Sequence, residues 1–143
     1  MRRDLRAIVF ICCVFGFLCG SVSAADQPAS PEPTLANVAY GSHPRQVLDF
    51  WQAESAEPTP VLFFIHGGGW VSGDKSSVSD VGSYLAAGIS VVSINYRYAT
   101  QAMIAGVKPP VEWPLHDAAR ALQFVRSNAG VWKKKQFKAQ KRC

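Results

Sequence analysis

The sequence predicts an α/β fold built on a partial, mostly parallel sheet, and three observations support this prediction. First, Val61–Ile65 (VLFFI) is a continuous β-branched and aromatic run, typical of a strand buried on both faces. Second, a similar run at Ser90–Asn95 follows a helical pattern over Ser76–Ala87. Third, another helical pattern begins at Leu115. Strand, helix, strand and helix in alternation indicate an α/β layer.

Two shorter strands are predicted before this alternation. Asn37–Tyr40 is followed by the turn residues Gly41-Ser42, and Gln46–Gln52 alternates between two faces. The short connection between them predicts antiparallel pairing. In the second strand, one face is predicted to carry Val47, Asp49 and Trp51 and the other to carry Leu48 and Phe50.

Both predicted helices have one apolar face. The first carries Val78, Val81 and Leu85 and is followed by Gly88, where a C-terminal cap belongs. The second keeps a 3.6-residue period from Leu115 to Val125, and we expect it to stop near residues 128–130.

Four regions follow from composition: a signal peptide (1–24), a Pro-rich linker (25–36), a folded region (37–132) and a basic tail (133–143). Basic residues precede the apolar run Ala7–Cys19, which is too short to span a bilayer as a helix. Small residues at 22–24 predict cleavage near Ala24. We therefore expect a secreted or periplasmic protein with no stable membrane anchor after cleavage; an uncleaved anchor is the alternative.

The net charge of +5 belongs to the two ends of the chain. Residues 25–132 carry six basic and nine acidic side chains, whereas residues 133–143 carry six basic and no acidic ones. A nucleic-acid surface needs basic residues spread over a folded face, so no nucleic-acid partner is expected. Three of the four cysteines fall in the predicted signal, and no metal-ligand spacing is present, so no metal site is expected.

The motif that carries chemistry is His66-Gly67-Gly68-Gly69-Trp70, directly after the VLFFI run. Consecutive glycines allow positive φ and let several backbone N–H groups converge on one point. That geometry stabilises a developing oxyanion in acyl transfer, as in the HGGG element of lipases and esterases. A phosphate-binding loop would need a different glycine spacing, which residues 69–75 do not supply. A simple tight turn is the remaining alternative.

With these motifs in order, the sequence resembles exported α/β-hydrolases of the esterase and lipase group, near the hormone-sensitive-lipase-like and feruloyl-esterase-like branches. The resemblance covers about Tyr40–Trp132 and implies the N-terminal part of an α/β-hydrolase domain. It implies a small-molecule ester substrate, no cofactor, an oxyanion hole formed by Gly67, Gly68 and Gly69, and a supporting loop of His66, Trp70 and Asp74. The matching segments are Tyr40-Gly41, Gln46–Phe50, HGGGW at 66–70, Gly73-Asp74-Lys75, Ser93–Arg97 and Pro114–Asp117.

The family's Gly-x-Ser-x-Gly nucleophile elbow does not occur in these 143 residues, nor do the acid and histidine that follow it, so no catalytic residue is assigned. We expect a truncated, inactive, secreted carboxylic-ester hydrolase; the alternative is a small exported binding or interaction module without enzymatic activity. A frameshift or an altered stop would explain the change in composition after Trp132. Without an elbow strand, Val61–Ile65 would form an exposed sheet edge, and we expect a marginally stable or unfolded fragment.

Overall fold

A computed structural model describes residues 30–140. The predicted signal peptide, residues 25–29 of the predicted linker and the last three residues lie outside the described residues. The strands are β1 (Leu35–Ala39), β2 (Val47–Trp51), β3 (Val61–Ile65) and β4 (Ser90–Ile94). A 3₁₀ turn spans Lys75–Ser77, and the helices are α1 (Val81–Ala86), α2 (Ala99–Ile104) and α3 (Glu112–Gln140).

The four strands form one sheet in the order β1-β2-β4-β3. The pairs β1–β2 and β2–β4 are antiparallel, and only β3–β4 is parallel, so the expectation of a mostly parallel sheet is wrong for the described residues. The reason is that β2 lies between β1 and β4 and runs against both. The parallel pair is the one whose connection contains a helix, as a parallel crossover requires.

The predicted alternation in β2 is confirmed and divides the core in two. Leu48 and Phe50 pack in a cluster that includes Val125 of α3. On the other face, Trp51 packs with Val81 of α1 and with β4. The sheet is therefore covered by α3 on one side and by α1 on the other.

Strand β3 is less buried than its apolar sequence alone predicts. It lies at the edge of the sheet, with Val61 45% and Ile65 40% exposed. This agrees with the expectation that the strand forms an open edge when no elbow strand pairs with it. All five residues of β4, which has a neighbour on each side, are buried.

The first predicted helix is shorter than its pattern suggested. Residues 75–77 form a 3₁₀ turn, and α1 begins only at Val81. The two are separated because Asp80 adopts a left-handed conformation, with φ of 56°, which interrupts helical hydrogen bonding. Gly88 has φ of 75° and follows the helix end, as predicted.

Helix α3 is longer than predicted at both ends. It includes Pro114 in its first turn, where the missing N–H has no intrahelical partner to lose. The expected end near residues 128–130 is wrong, since the backbone stays helical through Gly130 and to residue 140, including most of the predicted tail. Packing explains this, because the buried Trp132 stacks on Phe50 with ring centroids 4.7 Å apart.

The boundary between linker and folded region also needs correction, because β1 begins at Leu35 inside the predicted linker. Residues just before it are fixed to the end of β2. The indole N–H of Trp51 donates to the Pro31 carbonyl at 2.7 Å, and the Gln52 N–H donates to the Thr34 hydroxyl at 2.9 Å.

Helix α2 was not predicted. Between residues 30 and 140, no helix has the length and apolar character that crossing a membrane would demand.

Candidate oxyanion site

The glycine loop that follows β3 turns back on itself through positive-φ residues. Gly68, Gly69 and Gly73 have φ of 111°, 59° and 101°, and Trp70 has φ of 67°. Glycine is required at Gly68, since a Cβ there would lie 2.2 Å from the carbonyl oxygen of Ser72. The loop therefore owes its shape to the absence of side chains.

Three consecutive carbonyl groups at the start of this loop are anchored. The Tyr96 hydroxyl donates to the His66 carbonyl at 2.9 Å. The His66 Nδ1 donates to the Gly67 carbonyl at 2.7 Å. The Gly68 carbonyl accepts from the N–H groups of Val71 at 3.0 Å and Ser72 at 3.1 Å.

The N–H groups of Gly67, Gly68 and Gly69 show the opposite pattern. Among residues 30–140, none of them donates to a protein acceptor. In a trans peptide the carbonyl and the N–H point in opposite directions, so anchoring each carbonyl turns the next N–H away from the anchor. Gly67 and Gly69, but not Gly68, line a cleft of about 350 Å³ together with Ile65, His66, Trp70 and Tyr96.

His66 lies within the loop and is only 2% exposed. Because a carbonyl can only accept, its Nδ1 is the donor in this bond and carries a proton. Nε2 is buried and has no hydrogen-bond partner among the described residues. The imidazole also stacks on the Tyr96 ring at 4.2 Å. These contacts indicate a structural role for His66, since Nδ1 is already used to hold the backbone.

Asp74 closes the far end of the loop and does not line the cleft. Its carboxylate accepts from the Ser76 N–H at 2.9 Å and from the Asn95 amide at 2.7 Å. Burial acts to raise the pKa of Asp74, but these hydrogen bonds outweigh it and lower the pKa. The Asn95 side-chain oxygen in turn accepts from the Lys75 N–H at 2.7 Å. The motif segments Gly73-Asp74-Lys75 and Ser93–Arg97 are thus in direct contact.

Trp70 forms one wall of the cleft and is partly exposed. Its ring lies 5.5 Å from that of Tyr96, and its carbonyl accepts from the Ala99 N–H at 2.8 Å. This last bond joins the glycine loop to the start of α2.

A buried carboxylate, Asp117 of α3, joins two more of the motif segments. It accepts from the Arg97 N–H and Nε, both at 2.9 Å, and from Arg97 Nη2 at 2.6 Å, and it also accepts from the Gln46 amide at 2.7 Å. Burial acts to raise the pKa of Asp117, but the bonds from Arg97 and Gln46 lower it. In the sequence this aspartate stands out only within the Pro114–Asp117 segment of the resemblance, and no local pattern indicates its contacts with Arg97 and Gln46.

A second contact that sequence analysis did not predict braces the loop from outside. Arg45 Nη2 donates to the Gly73 carbonyl at 3.2 Å, and the Tyr98 hydroxyl donates to the same oxygen. The Arg45 guanidinium also stacks over the Tyr98 ring at 3.8 Å.

Within the described part of the chain, no three His, Cys, Asp or Glu side chains are grouped so that they could hold a metal ion.

The family model BD-FAE matches residues 48–139, a range that includes the glycine loop and most of the motif segments. The chain belongs to the BD-FAE family. This is a family of esterase- and lipase-type hydrolases with the α/β-hydrolase fold, as the resemblance predicted. The chain is 34% identical over 97 residues to Esterase LipC of Mycobacterium tuberculosis, covering 64% of this chain and 22% of that protein.

A second relative is the probable isoprenylcysteine alpha-carbonyl methylesterase ICME of Oryza sativa subsp. japonica. It is 33% identical over 100 residues, which cover 68% of this chain and 22% of that protein. The BD-FAE chain described here thus spans about a fifth of the length of these curated relatives.

Two solved structures show the same partial fold. One is a truncated form of a carbohydrate esterase from gut microbiota, with a TM-score of 0.57 and 25% identity over 73% of this chain and 37% of that one. The other is a bifunctional GH43-CE protein of Bacteroides eggerthii, with a TM-score of 0.54 and 26% identity over 69% of this chain and 13% of that one. The four-stranded sheet with its helices is therefore part of an α/β-hydrolase fold.

Proposed function

We propose that this chain supplies the oxyanion hole of a serine carboxylic-ester hydrolase acting on small-molecule esters. One observation carries the proposal: three successive carbonyls of the glycine loop are anchored, while the N–H groups of Gly67, Gly68 and Gly69 have no protein acceptor among the described residues. Free donors beside a cleft have the arrangement that an oxyanion requires.

In ester hydrolysis, a nucleophile adds to the carbonyl carbon and negative charge develops on the carbonyl oxygen. The free N–H groups of this loop would donate to that oxygen. They are already oriented, so little reorganisation opposes charge development, and one such donor is typically worth about 10²–10³ in kcat. Trp70 and Ile65 would form the apolar walls against the rest of the substrate.

The nucleophile must come from residues outside this sequence, because Gly-x-Ser-x-Gly does not occur in it. We therefore propose that the 143-residue chain alone is a truncated hydrolase and does not turn over esters. Reading the downstream nucleotides in all three frames tests the truncation. An elbow motif in any frame supports it, and its absence from every frame favours the small binding module instead.

An activity assay tests the proposed inactivity. The purified chain is incubated with p-nitrophenyl acetate beside a heat-treated sample of the same protein. We expect equal rates in the two samples. Turnover above the heated control that a serine-directed phosphonate abolishes would contradict this proposal.

A direct test of the oxyanion hole uses a tetrahedral anion, phenylphosphonate, and ¹⁵N-labelled protein. We expect the amide resonances of Gly67, Gly68 and Gly69 to shift on titration, because their N–H groups would donate new hydrogen bonds to the phosphonate oxygens. Gly88 and Gly106, which lie at the ends of α1 and α2, serve as internal controls. Saturable shifts at the controls and none in the loop would refute the assignment.

We also propose that the protein is secreted or periplasmic, on the basis of its basic and apolar N-terminus. Mass spectrometry of the exported product should find a mature N-terminus near Ala25. A product that retains residues 1–24 and sediments with membranes would support the anchor instead.

A further inference from the structure

We propose that Tyr96 is a positioning residue for the oxyanion hole: its hydroxyl holds the His66 carbonyl so that the N–H of Gly67 stays turned toward the cleft. This inference rests on the proposed function of the glycine loop. It assigns a role to a side chain 30 residues away from the carbonyl that it holds.

The anchor is rigid because Tyr96 is itself fixed on several sides. It lies two residues after the end of β4 and is fully buried. Its own carbonyl accepts from Arg45 Nε at 2.8 Å, which ties the backbone of Tyr96 to the segment before β2. The hydroxyl therefore reaches the loop from the sheet, the stiffest part of the fold.

The ring of Tyr96 contacts both ends of the HGGGW segment. It stacks on the imidazole of His66 with an interplanar angle of 16°, and it lies tilted against the indole of Trp70. The His66 ring held in this stack donates to the Gly67 carbonyl. Tyr96 thus fixes the peptide between His66 and Gly67 directly through its hydroxyl. It also orients the His66 ring, which fixes the peptide between Gly67 and Gly68.

The phenol is suited to this task because it remains a neutral donor. Burial, with a smaller contribution from Tyr98, raises the pKa of Tyr96 above its ordinary value. Its proton is therefore present throughout the neutral range, and the bond to the His66 carbonyl persists. A phenylalanine would keep both ring contacts and lose only the hydroxyl, so substitution separates positioning from packing.

The test compares Tyr96→Phe with the wild-type 143-residue chain and with Tyr84→Phe as the matched control. Tyr84 is a half-buried tyrosine of α1 that packs in the cluster of Trp51 and lies outside the glycine loop. Two properties are measured: hydrogen exchange at the Gly67 N–H, and the Kd for phenylphosphonate from amide shifts. Urea unfolding of each variant reports folding separately.

We expect Tyr96→Phe to change the Gly67 exchange rate, to remove the Gly67 shift on titration and to weaken phenylphosphonate binding about tenfold, while Tyr84→Phe matches the wild type. Replacing Tyr96 with p-aminophenylalanine, which keeps a donor at this place, should restore the Gly67 shift. A folded Tyr96→Phe chain with wild-type Gly67 exchange and affinity would overturn the inference.

Two further outcomes keep this inference separate from the proposed function. In one outcome, the wild-type glycine amides do not respond to phenylphosphonate but Gly67 exchange still changes in Tyr96→Phe. Tyr96 then positions the Gly67 peptide, and the proposed oxyanion hole is contradicted. If Tyr96→Phe does not fold, the ¹³C resonance of the His66 carbonyl in the wild-type chain decides. A shift typical of a hydrogen-bonded carbonyl supports the inference, and one typical of a free carbonyl overturns it.

Discussion

Gly73 shows how little room the glycine loop leaves for a side chain. It has φ of 101°, and a Cβ on it would lie 2.4 Å from both the Gly67 carbonyl oxygen and His66 Nδ1. Those two atoms make the hydrogen bond that sets the second peptide of the loop. A methyl group at this position would therefore strain the backbone and push the bond apart.

We predict that Gly73→Ala lowers the free energy of unfolding by at least about 1–3 kcal/mol, the usual cost of a non-glycine residue in a disfavoured backbone region. Gly67→Ala is the matched control for stability, since a Cβ there meets no atom within 4 Å. Urea unfolding measures both. Equal stability of the two variants would show that the space at Gly73 is not limiting.

Among single residues, the buried Asp117 makes the free energy of unfolding depend on pH in the acidic range. Burial opposes its charge, but the hydrogen bonds from Arg97 hold its folded-state pKa below the unfolded value of about 3.9. The contribution of Asp117 to the free energy of unfolding is therefore complete above its unfolded pKa. It is lost as the pH falls through the folded-state pKa. We predict that the free energy of unfolding of the wild type falls below about pH 4, measured by urea unfolding at a series of pH values.

The variant Asp117→Asn tests the source of this acid sensitivity. It leaves the Arg97 charge without its buried partner, so we predict a loss of about 3–5 kcal/mol at neutral pH. Its stability should then vary less between pH 3 and pH 5 than that of the wild type. Asp80→Asn, at an exposed position, is the control, and it should keep the wild-type profile.

At the scale of elements, the continuation of α3 beyond Gly130 depends on one buried ring. Trp132 stacks on Phe50 and contacts Phe124, whereas its neighbour Val131 is 52% exposed. We predict that Trp132→Ala costs about 3–5 kcal/mol in unfolding experiments, because truncating a buried aromatic leaves a cavity. Val131→Ala should cost well under 1 kcal/mol. Equal effects would mean that α3 does not pack past Gly130.

Local patterns predicted the strands and the apolar faces of the helices because both depend on near neighbours in sequence. The alternation of Leu48 and Trp51 and the cap at Gly88 are examples. The end of α3 could not be predicted from local patterns. The contact that stabilises it joins Trp132 to Phe50 of β2, which is distant in sequence. The break before α1 was hidden too, because Asp80 gives no local sign of its left-handed backbone.

The same limit applied to the candidate site. The positive φ of Gly68 and Gly69 could be predicted from the run of consecutive glycines. The anchors could not, because Tyr96 and Arg45 reach the loop across 30 and 28 residues. Neither spacing nor periodicity contains that information; only the pairing of β3 with β4 brings Tyr96 beside His66.

For the whole molecule, the open edge of β3 is the main liability. Its outer side pairs with no other strand among residues 30–140, and Val61 there is 45% exposed. We predict concentration-dependent self-association of the chain, seen by sedimentation velocity. Val61→Lys should raise the dissociation constant about tenfold, since a charge on an edge strand opposes pairing. Val131→Lys, at an equally exposed helix position, should not.

Because the motif segments hold one another in place, the glycine loop cannot be moved into another protein as an isolated stretch. A short peptide copying the HGGGW stretch would lack the phenol, the carboxamide and the guanidinium that shape it, which come from Tyr96, Asn95 and Arg45. The smallest graft that carries most of these supports is the continuous piece from β3 through Tyr98. A host scaffold would then have to provide only the arginine.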